Sequence, residues 1–378
     1  MTVGIVRETF PGEKRVALVP ANVPQFQKLG LEILLETGAG SSAGYPDSVY
    51  ESRGVKITRN RANVFSSADI ILIVRGLGAN PEAGKSDLEL MKKGQVLVGS
   101  FEPLSEPESI KTLAARGVTV FSMELMPRIT RAQSMDTMSS MATVAGYRAV
   151  LLAAEALPRM FPMMMTAAGT IAPAHVFVVG AGVAGLQAIA SAKRMGAVVQ
   201  AYDVRPVVKE QVESLGGKFV ELDLDTGDAE TKGGYAKEMG EEFLRKQREM
   251  MTRVVAGNDV VITTAAVPGK RAPILVTADM VRGMKPGSVV VDLAAERGGN
   301  CELTKAGETV IENDVKILGP VNMPADVPYH ASQMYSKNLT NFMSLLVKEG
   351  KLLLDSDDEI IRATMIARDG EIISHENK

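Results

Sequence analysis

The chain is 378 residues long, with 23% charged and 46% hydrophobic residues, a balance that excludes a disordered polymer and a disulfide-stapled mini-protein. Lys plus Arg number 42 and Asp plus Glu 45, for a formal net charge of −3, which argues against sequence-independent binding of nucleic acid. Aromatic residues make up only 4%, with no Trp, against 35 Gly and 21 Met, so the core has to be built from aliphatic and Met side chains.

Short apolar runs alternate with helical patterns along the chain. Val3 to Val6 predicts a strand, Asn22 to Leu29 a helix stopped by Gly30, and Leu31 to Leu35 the next strand. Asp69 to Val74, Gln95 to Val98 and Val118 to Phe121 predict further strands, each after a polar helical stretch. Ser134 to Leu157 predicts one long helix of small residues, suited to linking two domains. A second series of Val- and Ile-rich strands follows at His175 to Val179, Val198 to Tyr202, Val260 to Thr263, Ser288 to Asp292 and Val315 to Leu318. Ser332 to Val347 reads as a helix that returns to the first domain. This alternation predicts an α/β protein of two doubly wound, Rossmann-like parallel sheets with helices on both faces and a cleft between the domains. The expected division is 1–137 plus 330–378 for the first domain and 138–329 for the second, in keeping with roughly 100–200 residues per domain.

Between Arg159 and Lys193 there is no Asp, Glu, Lys or Arg. A membrane span is not the reading, because Pro162, Pro173, His175 and Gly180, Gly182 and Gly185 interrupt the run. A loop, a buried strand and the start of a helix account for it. The start of the chain has no basic region followed by an apolar run, so no signal peptide is expected. Cys301 is the single cysteine, and it fits a reducing compartment and an inert thiol. Met163 to Met165 are expected to pack in a core or a dimer contact. Neither spaced Cys nor paired His occurs, so no metal site is expected.

Val176 to Val179 runs directly into Gly180-Ala181-Gly182-Val183-Ala184-Gly185, a helical pattern follows from Leu186 to Met195, and the next strand ends at Asp203. That full context marks a dinucleotide-binding turn, whereas the bare glycine spacing is weak. Gly180 permits the tight turn, Gly182 lets the backbone approach a pyrophosphate, and Gly185 lets the helix pack on the strand. The helix N-terminus offers free N–H groups and partial positive charge to phosphate. Asp203 is placed to accept from the adenosine ribose hydroxyls and to repel a 2′-phosphate, which favours NAD over NADP. Arg205 works the other way, since a nearby Arg accommodates that phosphate.

Upstream, Arg128, Arg131, Gln133 and Asp136 crowd the approach to the long helix. Such a cluster suits the reactive end of a cofactor; equally, Ser134 suits an N-cap with Asp136 complementing the helix dipole. The segments Pro11-Gly12-Glu13 with Arg15-Val16-Ala17, Met126-Pro127-Arg128 with Arg131-Ala132-Gln133-Ser134-Met135-Asp136, Phe161-Pro162-Met163-Met164-Met165-Thr166-Ala167-Ala168-Gly169-Thr170, and Gly233-Gly234-Tyr235-Ala236-Lys237-Glu238-Met239 make the chain resemble, over essentially its whole length, the NAD(H)-binding component of proton-translocating NAD(P) transhydrogenase.

The resemblance implies a chain that binds NADH and passes a hydride to NADP⁺, the NADP(H) being held on a separate domain, with a membrane-spanning component coupling the step to proton movement. It implies a homodimer, peripheral on the cytoplasmic side of the membrane through partner subunits. Arg128, Gln133, Asp136 and Ser139 are then expected around the nicotinamide and its ribose, with Gln133 orienting the ring and Arg128 and Asp136 fixing it; Ile129, Ser134 and Met135 belong to the same cofactor-binding segment. The glycine turn with Val183 and Ala184, then Asp203, Val204 and Arg205, are expected on the other half of NAD(H). Residues 221 to 240 read as a lid, in which Gly234 and Tyr235 close over NAD(H), or otherwise as a solvated loop. Gln247 and Ala266 match positions that line the cofactor, although Ala266 is shorter than the Leu expected there.

Alanine dehydrogenase shares the fold and the N-terminal signature. It needs a Lys, a His and an Asp around a small-acid pocket, yet Arg75 stands where the Lys is expected and Leu97 to Phe101 carries no His. The three histidines lie elsewhere, at His175, His330 and His375. Arg15 matches the carboxylate-binding Arg of that enzyme and is expected here as a salt-bridge residue. Saccharopine dehydrogenase shares the architecture but fits Arg131 to Asp136 less well. A non-catalytic NAD(H)-sensing module is the remaining alternative, with no positive feature in its favour.

Overall fold

The computed structural model describes residues 1–221, 241–267, 269–355 and 357–373. In chain order, β1 (Thr2–Ile5), β2 (Glu32–Glu36), β3 (Lys56–Thr58), β4 (Ile70–Arg75), β5 (Val96–Ser100) and β6 (Thr119–Ser122) come first. Next are β7 (Met164–Thr166), β8 (Gly169–Ile171), β9 (His175–Val179), β10 (Val198–Tyr202), β11 (Lys218–Phe219), β12 (Val260–Thr263), β13 (Val289–Asp292), β14 (Thr309–Glu312) and β15 (Val315–Leu318). Last are β16 (Val347–Lys348), β17 (Lys351–Leu352), β18 (Met365–Arg368) and β19 (Glu371–Ile372). The chain divides into two compact units, residues 1–141 with 324–378 and residues 142–323.

The sheet of unit 1 has the order β19-β18-β6-β5-β4-β1-β2-β3. It is parallel from β6 to β3 and antiparallel where β18 joins β6 and β19 joins β18. Alternate residues of β4 enter different cores: Ile70, Leu72 and Val74 pack with Phe26 and Phe342, whereas Ile71 and Ile73 pack with Phe65 and Leu113. A strand covered on both faces must be apolar at successive positions, which is why β4 reads as an unbroken aliphatic run. The helix Pro328–Leu346 lies against the first of these cores through Tyr335, Leu339 and Phe342.

Unit 2 follows the same logic, with sheet order β11-β10-β9-β12-β13-β15-β14. Only β14 is antiparallel. Val176 and Val178 of β9 face one core, and Phe177 and Val179 face the other. In both sheets the expected doubly wound parallel arrangement is present, with antiparallel strands added at one end, β18 and β19 in the first sheet and β14 in the second.

Several boundaries differ from the sequence reading. The long helix spans Thr137–Ala156 and is preceded by a 3-10 segment, Thr130–Met135. The helix expected at Asn22 to Leu29 is a 3-10 turn, Pro20–Asn22, followed by Val23–Lys28, and Gly30 ends it with φ +75°. The Met163 to Met165 run is not core: β7 and β8 form an antiparallel hairpin, and Met163, Met164 and Met165 are 58%, 38% and 80% exposed. No helix among the described residues is long and apolar enough to cross a membrane.

Candidate functional site

In unit 2, the glycine turn lies at the carboxyl end of β9, beside the ends of β10 and β12. Gly180 takes φ +95°, a conformation glycine adopts without strain. A Cβ on Gly185 would sit 1.8 Å from the Gly180 carbonyl oxygen, whereas a Cβ on Gly182 would meet nothing within 4 Å. The turn is thus closed where the helix Val183–Arg194 packs and open where a ligand's backbone contact is needed. Leu186 N–H is the donor to the Gly182 carbonyl, so the N–H groups that precede it in the helix point outward from the intrahelical ladder. With the dipole they suit a pyrophosphate. The residues therefore fit a dinucleotide.

Asp203, at the end of β10, is 9% exposed. Its Oδ2 accepts from the Ala181 N–H at 2.7 Å and from Arg205 Nη2 at 2.7 Å, and its Oδ1 accepts from the Arg205 N–H and Nε at 2.9 and 2.8 Å. The carboxylate is thereby tied to the glycine turn, and Arg205 neutralises it. Val204 and Arg205 are half-buried, and Val183 is exposed beside the turn. Gln247 is 7% exposed and donates to the Tyr202 hydroxyl at 3.0 Å, an inward placement for a residue expected to line the cofactor. Ala266 is exposed just past β12. Gly234 and Tyr235, with nearly all of the expected lid, lie outside the described residues.

Residues with no obvious motif hold this turn. The Thr264 hydroxyl donates to the Gly180 carbonyl at 3.0 Å. Gly146, inside the Thr137–Ala156 helix, faces the next helix so closely that a Cβ would lie 2.1 Å from the Ala184 carbonyl oxygen. A lone glycine within a helical pattern was the available signal for it.

In unit 1, the Arg128 to Ser139 segment is ordered by caps and amides. Asp136 has an extended backbone, and its carboxylate accepts from the Ser139 N–H at 2.9 Å and the Ser139 hydroxyl at 2.5 Å. Asp136, not Ser134, is therefore the N-cap of the long helix. The Ser134 carbonyl instead accepts from Asn338 Nδ2 at 3.0 Å and Asn341 Nδ2 at 2.9 Å, both on the Pro328–Leu346 helix. Arg128, Gln133 and Ser134 are exposed, Ile129, Asp136 and Ser139 are half-buried, and Met135 is buried at 9%. Arg131 pairs with Asp358 at 2.6 Å.

Arg15 makes the expected salt bridge, two-pronged onto Glu13 at 2.6 and 2.8 Å, and Arg75 Nε reaches the same carboxylate at 3.2 Å. Arg75 also stacks over Phe10 at 4.3 Å. Cys301 is 1% exposed, and burial pushes its thiol up to about 11, so it is unreactive near neutrality. Among the described residues there is no group of His, Cys, Asp and Glu able to hold a metal ion.

Comparison with known proteins places these features in context. Family models described as alanine dehydrogenase/PNT, N-terminal domain and C-terminal domain match residues 4–145 and 149–375. The chain is 48% identical to an NAD(P) transhydrogenase subunit alpha chain of Rhodospirillum rubrum, covering 99% of this chain and 98% of that one. It is 28% identical to the alanine dehydrogenase of Mycolicibacterium smegmatis, over 99% and 95% of the two chains. The solved transhydrogenase structure from Sinorhizobium meliloti matches with a TM-score of 0.86 and 41% identity, over 99% of each chain.

Proposed function

The chain belongs to the alanine dehydrogenase/PNT family, and within it to the NAD(P) transhydrogenase alpha subunits; from that premise we propose that it is the NAD(H)-binding component of a proton-translocating transhydrogenase. The observation that carries this reading is the turn at Gly180, Gly182 and Gly185 between strand and helix, with Asp203 bonded to it through Ala181 N–H. Bound NADH supplies a hydride for direct transfer to NADP⁺ held on a partner component, and a membrane-spanning component couples that transfer to proton movement.

The chain's own task is binding and orientation. The turn and the helix N-terminus take the pyrophosphate, and Asp203 takes the adenosine ribose hydroxyls once Arg205 shares or yields its lone pairs. Arg128, Asp136 and Ser139 are the proposed partners of the nicotinamide ribose and ring, with Gln133 setting the ring's aim. Positioning suffices, because hydride passes between two cofactors without a general acid or base. The same reading makes the protein a homodimer that sits peripherally, on the cytoplasmic side, through its partner chains.

The test is to mix the purified chain with NADH, an NADP-analogue couple and membranes carrying the partner components, with pyruvate plus ammonia as a parallel acceptor. Hydride exchange with NADH bound more tightly than NADPH is expected. Gln133→Asn is expected to slow transfer at least about tenfold, roughly 1.4 kcal/mol, with little change in NADH affinity. Equal affinity for NADH and NADPH refutes the Asp203 argument, and turnover of pyruvate with ammonia moves the assignment to alanine dehydrogenase.

A further inference from the structure

Beyond β12 the chain leaves the sheet as Thr264, Ala265 and Ala266, next to the Gly180 turn, because β12 is the neighbour of β9 on the side away from β10. This is the point where the strand order of the sheet reverses, and ligands of such sheets cross it outside the carboxyl ends of the strands. What holds this exit in place is remote in sequence. Asn300 is 0% exposed. Its Oδ1 accepts from the Ala265 N–H at 2.9 Å, and its Nδ2 donates to the Ala265 carbonyl at 2.8 Å and to the Pro273 carbonyl at 2.9 Å. One side-chain amide thus pairs with both backbone groups of a single residue, as a neighbouring strand would. The two carbonyls fix which end of the amide faces them, since only the NH₂ donates.

Asn300 is itself held from beneath. Its N–H donates to Asp292 Oδ2 at 2.7 Å, and its carbonyl accepts from the Leu275 and Val276 N–H groups at 2.8 and 3.0 Å. Asp292, 0% exposed at the end of β13, also accepts from the Cys301 N–H and the Thr304 hydroxyl at 2.9 and 2.7 Å, and from the Ala294 N–H at 3.0 Å. Gly299 is confined by the same carboxylate, which lies 2.8 Å from where its Cβ would be.

We infer that Asn300 is a positioning residue for the nicotinamide half of the dinucleotide, acting through the backbone of Thr264 to Ala266. The inference rests on the NAD(H) reading of unit 2. Strand order supplies the direction. With the pyrophosphate at the β9 turn and the adenosine ribose at Asp203 on β10, the remaining half of the ligand runs past the β12 exit. Removing the Asn300 amide leaves three backbone groups without their partner, and buried groups of that kind force the segment to rearrange.

The test uses the full chain. Asn300→Ser is expected to weaken NADH binding about tenfold, roughly 1.4 kcal/mol, while ADP, which reaches only the turn and Asp203, binds as before. Asn300→Asp keeps the shape but lacks the donors, and the same split is expected. Unchanged NADH affinity in folded variants, or equal losses for NADH and ADP, overturns the positioning role. Hydrogen exchange on the unsubstituted chain tests it independently of variant folding: strong protection of the Ala265 amide supports the clamp, and a freely exchanging amide overturns it. Failure of the unsubstituted chain to bind NADH overturns the NAD(H) reading itself, and this inference with it.

Discussion

Glu8 and Glu13, both just past β1, are driven in opposite directions by their surroundings. Burial raises Glu8 from 4.5 to about 8, with the Val74 and Arg75 N–H groups, donating at 2.6 and 3.0 Å, only partly offsetting it. Burial also acts to raise Glu13, but its hydrogen bonds and charge pairing with Arg15 win and hold it at about 2. The signs of their contributions to stability therefore differ. Glu8 binds a proton more tightly when folded, so the stability present below 4.5 is lost as the pH rises through about 8. Glu13 contributes stability above 4.5 that is lost as the pH falls through about 2. At about 1.4 kcal/mol per unit, the Glu8 effect has an upper limit of about 5 kcal/mol, reduced by its residual contact with solvent. Glu8→Gln is expected to flatten the decline in melting temperature between pH 5 and 8, a window taken from its two values. A decline as steep as that of the parent chain counts against the assignment. At this scale the sequence named the Arg15 salt bridge, but it held no hint of Glu8, because burial and paired N–H donors come from distant segments of the chain.

The strands legible in advance are apolar at most positions. β9 and β12, buried at nearly every residue, run from His175 and Val260 as read from the sequence, since an unbroken apolar run has few alternatives in a parallel sheet; β10 and β15 run from Val198 and Val315 as read, although Gln200 and Lys316 interrupt them. The hairpin of β7 and β8 was missed, as its residues are short, exposed and without a period of two. The start of the long helix was displaced because Ser134 and Asp136 are both good caps, and only the Asn338 and Asn341 amides, which take the Ser134 carbonyl, break the tie. Gly146 shows how one helix fixes another. With 2.1 Å between a Cβ there and the Ala184 carbonyl oxygen, Gly146→Ala forces the Val183–Arg194 helix to move. A stability loss of about 1–3 kcal/mol is expected from such overpacking, together with weaker NADH binding at the displaced turn. Calorimetric melting and NADH titration measure both, and a variant that matches the parent in each contradicts the packing argument.

For the whole molecule, the exposed methionines of the hairpin matter most. Met163 and Met165, 58% and 80% exposed on the hairpin, are apolar exposure of a kind that marks interaction sites, and the proposed homodimer is expected to bury them. Met163→Glu with Met165→Glu is expected to raise the dimer dissociation constant at least about tenfold, roughly 1.4 kcal/mol, in sedimentation analysis, while NADH binding to the chain persists. An unchanged constant removes the hairpin from the interface. By itself the sequence determined the α/β class, the glycine turn with its acidic strand end, and the resemblance on which the family assignment rests. Each of these depends on residues adjacent in the chain, where periodicity and short-range spacing are sufficient. Only the tertiary structure decided what holds the turn in place: Thr264 on Gly180, Gly146 under Ala184, and Asn300 on Ala265, anchored by Asp292. These contacts join residues from separate helices, strands and loops. A polar side chain in a loop carries no sign of its partner until folding buries both and obliges them to pair.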